Sequence, residues 1–153
     1  MFQPKVENIT GAFRCFDERI ATLSGPAASG DDGAVDEIVL ARTLLGWLTF
    51  QLDRRLAEDG LKQLDAALAL APDDPTALMV RGFMYGSLER WDEARADAEK
   101  VDTSGRRPNG LVTGTLGYPA DLVAAIDEAS ATPTTPNATA VNPSTSAAPV
   151  TSR

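Results

Sequence analysis

Apolar residues recur along the chain in steps of three and four, the spacing that lays a stripe along one face of an α-helix. Ile9, Phe13, Phe16, Ile20 and Leu23 form the first stripe and predict a helix over 8–24. Ile38, Ala41, Leu45, Leu48, Leu52 and Leu56, with Leu44 and Trp47 beside them, predict a longer helix over 35–56. Gly60 marks a turn. Leu61, Leu64 and Leu68 then give a third helix its buried stripe, up to the sequence Ala71-Pro-Asp-Asp-Pro75. There Asp74 reads as the N-cap and Pro75 as the first position of a fourth helix over 75–89. Leu78, Arg81, Gly82, Tyr85 and Leu88 share one side of it. Trp91, Ala94, Ala98 and Val101 share one side of a fifth helix over 91–102, and Gly82 opposite Ala94 reads as a close helix approach. Pro119 opens a sixth helix with Leu122, Val123 and Ile126, ending near Ser130. The polar loop 103–109 and the stretch 110–117 carry no clear period, and no run predicts a strand. The expected fold is all-α, antiparallel hairpins of about six helices, paired as 35–71 and 75–102 with the first and last helices as caps.

Two segments fall outside this pattern. Ser24 to Gly33 reads as a flexible linker, and it lacks the Gly-Lys-Ser/Thr ending of a phosphate-binding loop. From Ala129 onward the chain is rich in Ala, Thr, Pro and Ser, with Arg153 as its only charge. Pro133, Pro136, Pro143 and Pro149 oppose helix and strand alike, so a helical domain over 1–130 with a disordered tail over 131–153 is expected.

Composition narrows the chemistry. With no histidine among 153 residues, a serine or cysteine nucleophile has no imidazole base, and His-containing zinc sites cannot be built. A single cysteine excludes an internal disulfide; Cys15, on an apolar helical face, reads as a small buried hydrophobe in a reducing interior. A net charge of −8 opposes binding to phosphate backbones, so nucleic acid is not an expected partner. The N-terminal region has no apolar run long enough for a secretory signal, and Ile38 to Leu52 is interrupted by Arg42 and too short to span a bilayer. The expected place is the cytoplasm, without membrane insertion. Asn8-Ile-Thr10 and Asn137-Ala-Thr139 match the glycosylation pattern but carry little meaning without a signal peptide.

The stretch from Pro75 to Val101 resembles one tetratricopeptide repeat: Leu78, Gly82, Tyr85, Trp91, Ala94 and Val101 fall at that family's spacing. One repeat length upstream, Leu64, Ala67, Leu68, Leu70 and Pro72 resemble the close of a preceding repeat, giving a period of about 34 residues. The upstream unit departs at Gly60, where a small alanine is usual, and at Leu48, where glycine is. Arg81 stands where leucine is commoner and Ala98 where an aromatic is. The resemblance covers Ala41 to Val101 and implies a short right-handed solenoid of stacked hairpins whose first helices line a concave groove for a partner peptide. Carried over residue by residue, the groove positions are Arg42, Leu45, Thr49, Leu52 and Asp53 in the upstream unit, and Thr76, Met79, Phe83, Gly86 and Ser87 in the other. Met79 and Phe83 are open to two readings, groove or core. They are apolar where carboxylate-clamping members carry basic and amide groups, so an apolar or amphipathic segment is the expected ligand. The run from Leu44 to Gly82 is also similar, more distantly, to the repeat domains of bacterial cytochrome c maturation factors.

The acidic residues carry a blander reading. Asp73 and Asp74 read as turn and cap residues, and Asp92 and Glu93 as first-turn charges that favour a helix N-terminus. Asp31, Asp32, Asp36, Asp97 and Glu99 show neither the cleft that general acid–base work needs nor the spacing of a calcium loop. The pairs Arg54–Arg55 and Arg106–Arg107 read as solvated surface or local ion-pair partners. The expected function is a non-catalytic protein–protein interaction module, without metal or cofactor, binding a protein or peptide through Arg42, Leu45, Thr49, Asp53, Thr76, Met79, Phe83 and Ser87. A self-associating subunit that closes an incomplete repeat stack as a homodimer is the structural alternative, and a carboxylate-only metal hydrolase the enzymatic one.

Overall fold

A computed structural model describes residues 6–117 and 119–131, and every regular element among them is helical. In chain order these are α1 (Val6–Ala28), α2 (Asp32–Leu52), a 3-10 turn (Arg54–Leu56), α3 (Ala57–Leu70), α4 (Pro75–Ser87), α5 (Trp91–Ser104), α6 (Gly110–Leu116) and α7 (Pro119–Ala131). Helix α6 falls in the stretch that showed no period. Of the expected tail, 131–153, Ala131 belongs to α7, and the residues from 132 onward lie outside the described residues. Among the described residues, no helix is long and apolar enough to cross a membrane.

The helices stack as antiparallel hairpins in the pairing expected, α2 with α3 and α4 with α5. Arg42 of α2 meets Gln63 of α3 and Gly46 meets Gly60, so α3 runs back along α2. Gly82 of α4 likewise faces Ala94 and Asp97 of α5, where an added Cβ would lie 3.2 Å from the Ala94 carbonyl oxygen. Helix α1 packs on α2 through a small apolar cluster of Ile20, Ile38 and Ala41, with Phe16, Leu23 and Ala27 around it. That packing carries α1 past the expected end at residue 24, through Pro26 in its last turns, and shortens the linker to residues 29–31. The main core joins Val39 and Phe50 of α2 to Leu61, Leu64 and Leu68 of α3, Met79, Val80 and Met84 of α4, and Ala94, Ala98 and Val101 of α5. Val112, Leu122 and Ile126 bring α6 and α7 into the same core.

Local sequence explains most boundaries. The Asp74 carboxylate accepts from the Ala77 backbone N–H at 2.8 Å, and Pro75, which has no N–H to lose, occupies the first turn. Asp74→Ala is therefore expected to lower stability by about 1 kcal/mol, read as a lower urea midpoint at unchanged slope; an unmoved midpoint would mean that Pro75 alone sets the boundary. Helix α2 stops at Leu52, four residues before the expected end. Asp53 takes an extended conformation there and its carboxylate accepts from the Arg55 N–H at 2.9 Å, starting the 3-10 turn. This break turns Leu52 and Leu56, expected on the buried stripe, out to solvent. Gly60 is not a turn but an interior residue of α3, kept small by the backbone of α2. Cys15, expected to be buried, is exposed on α1, because the helix buries only the side carrying Phe16, Ile20 and Leu23.

One ionic network ties three helices together. The Arg81 guanidinium donates through Nε and Nη2 to the two carboxylate oxygens of Asp97, each at 2.7 Å, and through Nη1 to Asp65 of α3 at 2.7 Å. Asp97 is buried, whereas Asp65 is exposed. Hydrogen bonding to the Asp97 carboxylate is the main reason that Arg81 holds its proton more tightly than usual. The neighbouring Tyr85 ring lies under Arg90 at 4.4 Å and under Arg81 at 5.7 Å, and burial pushes its hydroxyl pKa up.

Candidate interaction site

The concave face expected from the sequence is only partly open. Met79 is fully buried, in the same core cluster as Val112, Leu122 and Ile126 of α6 and α7. Leu45 is buried as well, and Thr76 is buried with its hydroxyl accepting from the Asn109 N–H at 3.0 Å, at the entry to α6. These three residues are structural and not available to a partner. For Thr76 and Met79 the physical reason is the added third layer of helices: α6, at a stretch where no helix was expected, meets the first half of α4 through Thr76 and Val80.

The remaining expected residues scatter. Arg42 is half-buried between α2 and α3 and donates through Nη1 to the Gln63 amide oxygen at 2.9 Å, while its Nε is buried without a hydrogen-bond partner. The Thr49 hydroxyl turns back to donate to the Leu45 carbonyl at 2.8 Å, and Asp53 is spent on the 3-10 turn. Phe83, Gly86 and Ser87, by contrast, stand together and line an apolar groove.

That groove follows from helix length. A helix rises about 1.5 Å per residue, so the seven residues of α6 run about 10 Å beside the roughly 20 Å of α4. The second half of α4 therefore lacks a cover of equal length. There Phe83, Gly86 and Ser87, with Trp91 from the start of α5, form one wall, and Leu122, Ala125, Ile126 and Ala129 of α7 form the other. The space between them is about 220 Å³. Phe83 is braced from behind by Trp47 of α2, edge to face at 5.5 Å between ring centroids, and Trp47 in turn touches Phe50. An ion pair between Arg95 and Asp127 fixes α7 against α5 at the side of the groove. Trp91, Leu122 and Ile126 were each legible as members of helical stripes. Their meeting with Phe83 was not, because it depends on where the third layer ends.

A second apolar depression, of about 240 Å³, lies between α1 and α2, lined by Cys15, Phe16, Leu40, Ala41 and Leu44 and edged by the Arg19–Glu37 ion pair. Among the described residues, no other constellation suggests chemistry. Asp73 and Glu93 are held below the ordinary carboxylate range, chiefly by hydrogen bonds from Lys100 and Arg90, the reverse of what a general acid needs. Among the described residues, no group of three or more Cys, Asp or Glu side chains is placed to hold a metal ion. Comparison with known protein families, curated proteins and solved structures finds no match to this chain.

Proposed function

We propose that this chain is a non-catalytic, tetratricopeptide-like interaction module of the cytoplasm that holds an apolar segment of a protein partner in the groove between α4 and α7. The single observation that supports it is the aromatic wall of Phe83 and Trp91 left partly open beside the apolar face of α7. Aromatic and aliphatic side chains in a concave, poorly hydrated setting are the usual anchors of peptide recognition. The walls offer almost no charge, so the ligand is an amphipathic helix or extended strand that inserts two or three apolar side chains and leaves its polar edge in water. The two-hairpin stack supports the reading by presenting this groove on a rigid frame.

The test is a peptide-display selection on the intact chain, with Ala125→Arg as the counter-target. Ala125 is exposed on α7 at the groove, so arginine there blocks the space without disturbing the core. Enriched peptides should be apolar, bind the wild type in the micromolar range and lose at least tenfold in affinity on the variant. Peptides that bind both proteins alike, or none at all, would overturn the proposal.

A further inference from the structure

Helix α6 is an unusual part of the fold. It reads GLVTGTL, and within it two glycines, two threonines and a valine are poor helix formers. Seven residues are far too few for a helix that is stable by itself. It hangs between two glycines in the left-handed conformation, Gly105 at φ 65° and Gly117 at φ 83°, positions at which the chain turns freely only because no Cβ is present. From residue 108 to 117 it carries no charge. What holds it are Val112 and Leu116, one helical turn apart, against Thr43, Leu44 and Trp47 of α2 and Val80 of α4, together with the Asn109 N–H to Thr76. The seat is imperfect: a cavity of about 40 Å³ remains between these side chains, with an almost wholly apolar lining. Its one buried polar group, the Thr43 hydroxyl, is already satisfied by donating to the Val39 carbonyl. Such a space stays dry, and the contacts missing across it weaken the hold on α6.

The seat, on the face formed by α2 and α4, adjoins the α4–α7 groove, and the Trp47–Phe83 contact joins the two. We infer that α6 is a built-in ligand of this face, occupying the place where an external uncharged helix with apolar side chains one turn apart docks when α6 lifts. The inference rests on the proposed reading of the face as a ligand surface and adds its regulation and the chemistry of its second half. Its occupant is specified by α6 itself: a β-branched and a long aliphatic residue at i and i+4, flanked by small residues. An intramolecular segment competes with an external one in proportion to how firmly it is seated, so the apparent affinity follows the stability of α6.

The experiment uses the full chain and a fluorescein-labelled synthetic peptide of residues 105–117, with anisotropy as the readout. Gly114→Ala meets nothing within 4 Å of the new Cβ and only strengthens the helix, so the peptide should bind this variant about fivefold more weakly than the wild type. Val112→Ala/Leu116→Ser loosens the seat and should bind it at least tenfold more tightly, with the circular dichroism of the stack retained. The same affinity for all three proteins, or no binding to the loosened one, overturns the inference. Should the loosened variant lose its fold, the wild type and Gly114→Ala alone decide the matter. Peptides selected on the α4–α7 groove serve as the control, because if they still bind while the α6 peptide is indifferent, only the built-in ligand fails.

Discussion

Gly46→Ala is expected to destabilise the protein by about 2–3 kcal/mol, although alanine is the better helix former by about 1 kcal/mol. A Cβ at residue 46 would sit 2.6 Å from the Gly60 carbonyl oxygen, and one at residue 60 would sit 2.7 Å from the Gly46 carbonyl oxygen. Both obstacles are backbone, so no side chain can swing aside. Helices α2 and α3 must separate instead, and the separation loosens Leu61 and Leu64 along the same face. Gly11→Ala is the matched control: it lies inside α1 with nothing within 4 Å of the added atom, and it should be neutral or slightly stabilising. Urea denaturation of the three proteins checks both statements. A Gly46→Ala midpoint equal to that of the wild type would show that the two helices do not approach as closely as described.

The second large effect belongs to the ionic network. Arg81→Ala is expected to cost about 3 kcal/mol, because it leaves the buried Asp97 carboxylate without its bidentate partner. Asp97→Ala should cost somewhat less, since Arg81 keeps Asp65 and access to water, and Asp65→Ala should cost under about 1 kcal/mol, because its carboxylate is exposed. The double substitution Arg81→Met/Asp97→Leu should recover most of the loss, for a buried pair replaced by apolar groups of similar volume leaves nothing unsatisfied. The order of the three single variants, read from thermal or urea unfolding, is the check. Equal losses for Asp65→Ala and Asp97→Ala would mean that burial does not set the energetics of this network.

Much of this architecture is legible in the residues, and the parts that are not share a cause. Leu61, Leu64 and Leu68, or Ala94, Ala98 and Val101, announce their helices because each packs one face against one neighbour, and a single stripe is what periodicity detects. Helix α2 packs on two sides, against α1 through Ile38 and Ala41 and against the main core through Val39 and Phe50, so its apolar residues run round it and the expected stripe misplaced Leu52. Gly60 shows a different ambiguity: glycine at a turn and glycine under a crossing helix are written with the same letter. Helix α6 escaped altogether, because Gly, Val and Thr carry little helix propensity and its conformation comes from its seat on α2 and α4. That omission explains why Thr76 was expected in the groove and why Met79 stayed open between groove and core. The candidate site suffered accordingly: Phe83 and Ser87 were readable as neighbours on one helix, but the α7 wall opposite them is a product of tertiary packing.

A partner held in the space between α4 and α7 is within reach of a photo-crosslinker placed there. A photoreactive amino acid is placed at Ala125 in the groove and, separately, at Glu99 on the exposed side of α5, in the full chain expressed in its native host. The expected result is a discrete adduct from position 125 that is absent from position 99 and that disappears when Phe83→Asp is added to a chain of unchanged helicity. Adducts of the same pattern from both positions, or an adduct at 125 indifferent to Phe83→Asp, would contradict it.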